Sequence, residues 1–343
     1  MAFPDFPFPP AKQSFLRHDQ VLAYLEAYAA NYNLLPFIQF GTDVSSVRRV
    51  EDAWEIESKR LDRPDSDLVS RHYARPHIPS IEGSGEFAGL VLHSHSYRHP
   101  QPFQGMRVAV LGAGPSGTDI GLEIAEFADQ VFLCHNKKAL NSFLPSNVKQ
   151  EKGIVKFRGQ HSIELKDGKL LTEIDALVYC TGYEYDYPFL HPSSLGLDVQ
   201  PTSGVRPLYQ HLISIEEPTL CFLGLTKVVV PFPQFDAQVR FAFWHLRNPG
   251  ALGQAEMHQS FQQDLKFRRE NLSGEKCWHY MGDLQWAYNE GLCTRAGLPS
   301  HIAPAIKYLY NQVHDDRQKN LCTYKSERFQ IIDDEQFQRL PLN

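Results

Sequence analysis

The clearest pattern in the chain runs from Arg107 to Cys134. Arg107–Leu111 is an apolar, β-branched run of strand length, and a glycine-rich break follows. Thr118–Ala128 then sets Ile120, Ile124 and Phe127 at helical spacing, and Val131–Cys134 is a second apolar run. Strand, glycine turn, helix and strand in that order predict a βαβ unit with parallel strands. Upstream, His18–Asn31 predicts a helix with Val21, Leu25 and Tyr28 on one face. Phe37–Phe40, Val44–Val50 and Trp54–Glu57 read as short strands, and the charged stretch 57–67 as a loop. Residues 1–16, rich in Pro and Phe, predict an extended surface arm. Downstream, Val155–Leu171 predicts β structure turning at Asp167-Gly168, and Leu177–Cys180 a buried strand ending in Thr181-Gly182. Phe222–Leu225 reads as one more strand. From Phe235 the periodicity turns helical, as in Gln259–Arg269 and in Pro304–Val313, where Ile306, Leu309, Tyr310 and Val313 share a face. Strands alternating with helices place the chain in the α/β class.

The break reads Gly112-Ala113-Gly114-Pro115-Ser116-Gly117-Thr118-Asp119, with glycines spaced GxGxxG. In such a loop the first glycine makes the tight turn and the second lets backbone approach a pyrophosphate. The third lets helix and strand pack closely. Amides at the helix start, reinforced by the helix dipole, then attract the phosphates. Gly112 through Asp119 are therefore the candidate dinucleotide site. The end of the second strand bears on which nucleotide. An NAD site places an acid about 20 residues past the glycines to hold the ribose 2′-hydroxyl. Here Cys134-His135-Asn136-Lys137-Lys138 offers no acid. Lys137 and its neighbour would favour the 2′-phosphate of NADP, while His135 either stacks near the ribose or merely ends the strand. Asp119 would repel a phosphate it faced; as a cap it would instead accept backbone amides.

Composition narrows the classes. The 343 residues suffice for two domains, and 42% hydrophobic with 22% charged residues is ordinary for a globular protein. A net charge of −6 without basic clusters argues against a nucleic-acid partner. Six cysteines without CxxC suit a reducing compartment and rule out a dithiol centre or a zinc ribbon. There is no apolar run of about 18 residues and no signal-peptide profile, so a cytoplasmic protein without a membrane span is expected. Peripheral contact with a membrane stays open. The histidines show no metal-ligand spacing, and GxSxG does not occur.

Upstream of the glycines, Phe87-Ala-Gly89-Leu-Val-Leu-His93-Ser-His-Ser-Tyr97 matches F-x-G-x-x-x-H-x-x-x-Y. It resembles the identifying motif of the flavin-containing monooxygenases. Agreeing neighbours are Pro102-Phe103-x-Gly105, the Gly112 loop, Cys180-Thr181-Gly182-Tyr183, Arg206-Pro207-Leu208-Tyr209 and Val230-Pro231-Phe232-Pro233. The resemblance implies two Rossmann-like, doubly wound dinucleotide-binding domains. Residues 79–178 would form an NADP-binding insertion within a split flavin-type and substrate domain made of 1–78 and 179–343. It also implies an enzyme that uses NADPH, FAD and oxygen to oxygenate soft nitrogen or sulfur nucleophiles, amines or sulfides, of small molecules. Thr181-Gly182 would come close to the flavin, and Phe232–Gln238 would border its pocket. His93 is either a proton-transfer group or a linker residue docking one part on the other. His95 and His99 are expected at the surface or in a linker.

Two departures from the family are expected to matter. The first matching stretch is Phe3–Pro9, and the family's opening strand–GxGxxG–helix, about 30 residues or more, has no counterpart. The flavin-type part is thus expected to be incomplete, an N-terminal truncation with weak FAD affinity. The stretch between Trp54 and His72 is short, and Ser70-Arg71 stand where the family has Asn-Gly. The alternative to an active monooxygenase is a truncated, catalytically impaired NADP-binding relative lacking the FAD pyrophosphate site. A reductase without oxygen chemistry would need an acceptor group that the chain does not display.

Overall fold

The computed structural model describes residues 1–9, 13–61, 73–272, 278–300 and 302–341. The expected turn at Ser70-Arg71 lies outside them. Helix α1 (His18–Asn31) has the predicted bounds. Its buried residue, however, is Tyr24, while Leu25 stays exposed. The reason lies in the arm before it. Phe3, Phe6 and Phe8 gather around Tyr24, whose hydroxyl donates to the Phe6 carbonyl (2.6 Å) and accepts the Phe3 amide (2.8 Å). The arm is pinned by aromatic packing, not extended free over the surface. The expected strand at 37–40 is absent: Leu35–Phe37 is a 3-10 turn, and Phe37 is 84% exposed. Strands β1 (Thr42–Val50) and β2 (Ala53–Arg60) form an antiparallel hairpin, β2 outrunning its expected end. The short β3 (Arg75–Pro76) follows.

The centre of the molecule is a five-stranded parallel sheet. It contains β4 (Leu90–His93), β5 (Arg107–Leu111), β6 (Gln130–His135), β7 (Val148–Lys152) and β11 (Ala176–Tyr179), in the order β4-β11-β5-β6-β7. Alternation assigns its faces. Val108, Val110, Val131, Leu133, Ala176 and Val178 pack on Ile124 and Ala128, at the helix α2 (Pro115–Ala125) side. Ala109, Phe132, Cys134, Leu177 and Tyr179 face the other way. That side is covered by an antiparallel layer of β8 (Ile154–Phe157), β9 (Ile163–Leu165) and β10 (Leu170–Leu171), turning at Gly168 as expected. Burial on both faces explains why the inner strands β5, β6 and β11 read as continuous apolar runs, while the edge strands β4 and β7 are more exposed.

After β11 the chain leaves the sheet. Strand β12 (Tyr183–Glu184) pairs with β3. Two small hairpins follow, β13 (Asp198–Gln200) with β14 (Gly204–Arg206) and β15 (Leu208–Tyr209) with β16 (Ile213–Ser214). Phe222–Leu225 is not a strand; Cys221 alone bridges to Ile213, and Phe222 and Leu225 are buried in loop packing. The helical part holds α3 (Pro231–Arg247), α4 (Gln254–Asn271), α5 (Leu284–Arg295) and α6 (Pro304–Lys319). Each of α3 and α6 opens on a proline, whose fixed φ and missing N–H suit the first helical position. On α6 the expected apolar face is only half-buried, Ala305 being its one buried residue. The hairpin β17 (Arg328–Ile331) with β18 (Phe337–Leu340) closes the described chain. Among the described residues, parallel pairing of named strands is confined to the central sheet. No helix among them is long and apolar enough to cross a membrane.

Candidate functional site: a glycine cradle at the carboxyl ends of the parallel strands

Strand β5 lies between β11 and β6, in register Leu111 to Tyr179 and Leu111 to Cys134. Two bonds fasten the turn that follows. The Gly112 amide donates to the Cys134 carbonyl (2.9 Å), and the Cys180 amide to the Leu111 carbonyl (2.9 Å). The three glycines do three different things. Gly112 has φ +117°, and a Cβ there would lie 2.4 Å from the Cys180 oxygen. A Cβ on Gly117 would lie 1.9 Å from the Gly112 oxygen. Gly114 has an ordinary extended backbone and open space where a Cβ would go. Two positions are thus closed by the protein itself, and one opens outward.

Helix α2 starts from that opening. Gly114 is its N-cap and Pro115 its first residue, and no side chain caps the end. Amides of the first turn have no intrahelical acceptor, so an uncapped start is free to bind an anion. The Thr118 hydroxyl lies 3.1 Å and 3.0 Å from the Gly114 and Pro115 carbonyls and is buried. Asp119 does not cap the helix; its carboxylate pairs with Lys325 (2.8 Å). Ser116 is exposed. At the end of β6, His135 is buried, with Nε2 3.4 Å from Gln150 and Nδ1 without a partner. It ends the strand instead of presenting a ring to solvent. Lys137 and Lys138 are exposed, and no ion pair holds them among the described residues. An open Gly114, uncapped amides and free lysines beyond β6 fit a nicotinamide nucleotide with a 2′-phosphate.

The second group of expected residues sits on the neighbouring strand end. Gly182 has φ +85° with open space at its Cβ position, and Thr181 donates its hydroxyl to the His77 carbonyl. The Gly182 carbonyl accepts the His77 amide (2.9 Å) and lies 3.0 Å from His93 Nε2. His93 Nδ1 accepts the His95 amide (3.0 Å), so the proton resides on Nε2 and is donated to Gly182. His93 therefore locks the motif strand β4 to the turn after β11. It is buried, and both ring nitrogens are engaged by backbone groups. His95 is half-buried under the Tyr183 ring (5.8 Å), and His99 is exposed. Burial lowers the His93 pKa from its ordinary value, more than the bond to Gly182 raises it. An unfolded histidine takes a proton near pH ~6.5, whereas the folded one resists. Its contribution is fully present above that pH and lost as pH falls through the window below it. His211, buried and shifted the same way, adds to the effect. Thermal unfolding is expected to move to lower temperature between pH 7 and 5.5. His93→Phe should cost about 1–3 kcal/mol at pH 7 and flatten part of that acid limb.

Phe232 and its neighbours begin α3. Phe232 stacks on Phe3 (4.8 Å), while Gln234 and Gln238 are fully buried. Gln238 Oε1 accepts the Gly224 amide (2.9 Å), and its Nε2 donates to the Tyr288 hydroxyl (3.0 Å). Across the helix pair, Gln285 Oε1 accepts the Val230 amide (2.7 Å). The start of α3 is thus fixed by glutamines, yet Gln234 Oε1 and both amide atoms of Asn289 are left without partners. This helix start and the Thr181-Gly182 turn are the described residues that the family resemblance would set beside FAD.

Sequence reasoning missed Arg317 and Lys325, which reach the cradle from about 200 residues downstream. It also missed the buried cluster of His211, Asp264, Arg268 and His279. No local pattern marks either group.

The family profile described as flavin-binding monooxygenase-like matches residues 1–140 and 136–289. Senecionine N-oxygenase of Tyria jacobaeae is 27% identical over 360 residues, covering 99% of this chain and 76% of that protein. Flavin-containing monooxygenase FMO GS-OX3 of Arabidopsis thaliana is 32% identical over 263 residues, 70% of this chain and 56% of that one. Among solved structures, S-allyl-L-cysteine S-oxygenase from Allium sativum superposes with a TM-score of 0.84 at 25% identity, over 95% of this chain and 78% of that one. Tmm from a Pelagibacter strain shares the fold at a TM-score of 0.83 and 22% identity, over 99% of this chain and 78% of that one. A parallel sheet with a glycine cradle at its carboxyl edge, joined to these matches, defines a dinucleotide-dependent oxidoreductase. The chain belongs to the flavin-binding monooxygenase-like family.

Proposed function

We infer that this chain is an NADPH- and FAD-dependent monooxygenase acting on soft nitrogen or sulfur atoms of small molecules. The observation that carries the nucleotide part is the cradle: Gly114 open, Gly112 and Gly117 closed, and the first turn of α2 uncapped. The oxygen chemistry is what the flavin supplies when bound, and it rests on family membership together with relatives named as N- and S-oxygenases. The chain's own residues bind and position. The cradle from Gly112 to Asp119 holds the nucleotide phosphates, with Lys137 near the ribose end. Thr181 and Gly182, braced by His77 and His93, set the backbone edge between strand β11 and the remainder. The cores support reading residues 79–178 as an NADP-binding unit. The two clusters around the sheet draw their buried residues from Ile81 to Tyr179, one residue past that boundary, and the other two from Tyr185 to Ala296.

The test supplies the full chain with FAD, NADPH and a thioether or a tertiary amine. Oxygen uptake should match NADPH oxidation and the yield of sulfoxide or N-oxide. One oxygen atom enters the product and the other leaves as water. NADPH binding without oxygen uptake at saturating FAD would overturn the enzymatic reading and leave a nucleotide-binding relative.

A further inference from the structure

The C-terminal segment reaches across the molecule to the start of α2. Arg317, near the end of α6, donates from Nη2 to the Thr118 hydroxyl (3.0 Å), and Lys325 pairs with Asp119 at 2.8 Å. The same stretch is tied to the loop after β6. The Leu321 amide donates to Ser142 Oγ (2.8 Å), and Asn320 bridges to Phe143. Tyr324 meets the Phe15 ring edge-on at 5.4 Å. Residues 317–325 therefore span from the first turns of α2 to the loop that follows β6, with their cations fixed by the contacts around them.

The charges at this point need an explanation. Asp119 places a carboxylate five residues after the N-cap of α2, roughly 7 Å along the axis from the end that attracts anions. Uncompensated, it opposes any phosphate held there. Lys325 cancels it. Arg317 is half-buried and touches a hydroxyl, and no carboxylate pairs with it among the described residues. A guanidinium held without a counter-ion at the edge of an anion site leaves net positive charge for a ligand to neutralise.

We propose that Lys325 and Arg317 belong to the phosphate site of the nucleotide. Lys325 acts as a positioning residue that neutralises Asp119, and Arg317 is a fixed cation contributed by the C-terminal segment. This rests on reading the glycine loop as the NADP site and extends it to a part of the chain far away in sequence.

The test is a calorimetric titration of the full chain with NADP+, at low and high salt, on five proteins: wild type, Lys325→Met, Asp119→Asn, the double variant of these two, and Arg317→Gln. Lys325→Met should weaken binding about three- to tenfold at low salt, and less at high salt. Asp119→Asn should bind at least as tightly as wild type, and the double variant should return to within about twofold of it. Arg317→Gln should lose about fivefold. Melting temperatures without nucleotide should be nearly equal for the Lys325 and Asp119 variants, because a partly exposed ion pair contributes little to folding. If the double variant binds no better than Lys325→Met, or if Lys325→Met binds like wild type, the proposal is overturned while the glycine-loop reading stands. If wild type itself does not bind NADP+, both fall.

Discussion

Gly117→Ala should abolish measurable NADPH binding and destabilise the fold by about 3 kcal/mol or more. Its Cβ would lie 1.9 Å from the Gly112 oxygen and 3.3 Å from the Cys180 side chain. Both neighbours are held by the sheet: Cys180 by its amide bond to Leu111, and Gly112 by its bond to Cys134. Relief requires the α2 start to move away from the β5 end, and overpacking of that kind costs ~1–3 kcal/mol or more. Gly114→Val makes the paired experiment. Its backbone suits any residue and its side chain would point into open space, so stability should change by no more than about 0.5 kcal/mol. Nucleotide affinity should nevertheless drop at least about tenfold, because the added side chain takes the space backbone leaves for a phosphate. Urea unfolding and a nucleotide titration on both variants check the contrast. Alanine at 117 binding NADPH like wild type would remove the cradle from the account.

Arg268→Ala should destabilise the helical part by about 3–5 kcal/mol. Arg268 is 3% exposed, and its guanidinium reaches Asp264 (2.8 Å), the Tyr280 carbonyl (2.6 Å) and His211 Nε2 (2.9 Å). It also lies 5.5 Å from the Trp278 ring centroid. Burial works to raise the Asp264 pKa, but the bond to His211 and the charge of Arg268 outweigh it and hold the carboxyl below its ordinary value. Removing the arginine leaves that charge half-enclosed and strips Tyr280 of its donor. The histidines make the cluster more exacting. His279 Nε2 accepts the Val205 amide (3.0 Å), so its proton sits on Nδ1 and is donated to His211 Nδ1 (3.2 Å). His211 then carries its own proton on Nε2, which faces Asp264 at 3.1 Å, so Arg268 Nη2, 2.9 Å from the same nitrogen, is a close neighbour there and not a donor to it. One tautomer of each ring satisfies the chain of bonds from Val205 to Asp264. Arg268→Met, which keeps the packed stem, should recover only a minor part of the loss. A denaturant midpoint for Arg268→Ala equal to wild type would show that the network carries no net stability.

The sequence pattern made the three inner strands of the central sheet legible because burial on both faces writes them as apolar runs, whereas the outer strands β4 and β7, more exposed, were not read as strands. Each of β5, β6 and β11 formed within one or two residues of expectation. Helix α1 was equally plain, although its anchor was misread. Periodicity ranks Leu25 beside Val21 and Tyr28 but cannot know that Phe3, Phe6 and Phe8 collect on Tyr24. Phe37–Phe40 has strand composition yet no strand beside it, and β propensity alone does not order an unpaired segment. Phe222 and Leu225 are apolar because a loop core buries them. In the site, Gly112, Gly114 and Gly117 were readable from spacing, and their unequal roles only from geometry. His93 was readable as a linker through its motif. Asp119 was not, because its partner Lys325 lies about 200 residues away, where no periodic signal connects the two.

The strand order has a consequence for how the molecule comes into being. Strand β11, the last of the five to be synthesised, lies between β4 and β5, the first two. Until Tyr179 has left the ribosome, β4 has no neighbour to pair with and the loop at Gly112 lacks the Cys180 backbone that shapes it. The nucleotide pocket must therefore arise late and all at once, after some 90 residues of partly satisfied intermediate, and contacts so distant in sequence slow folding. NADP+ present during refolding should leave the early collapse unchanged and act only on the final, cooperative closing step.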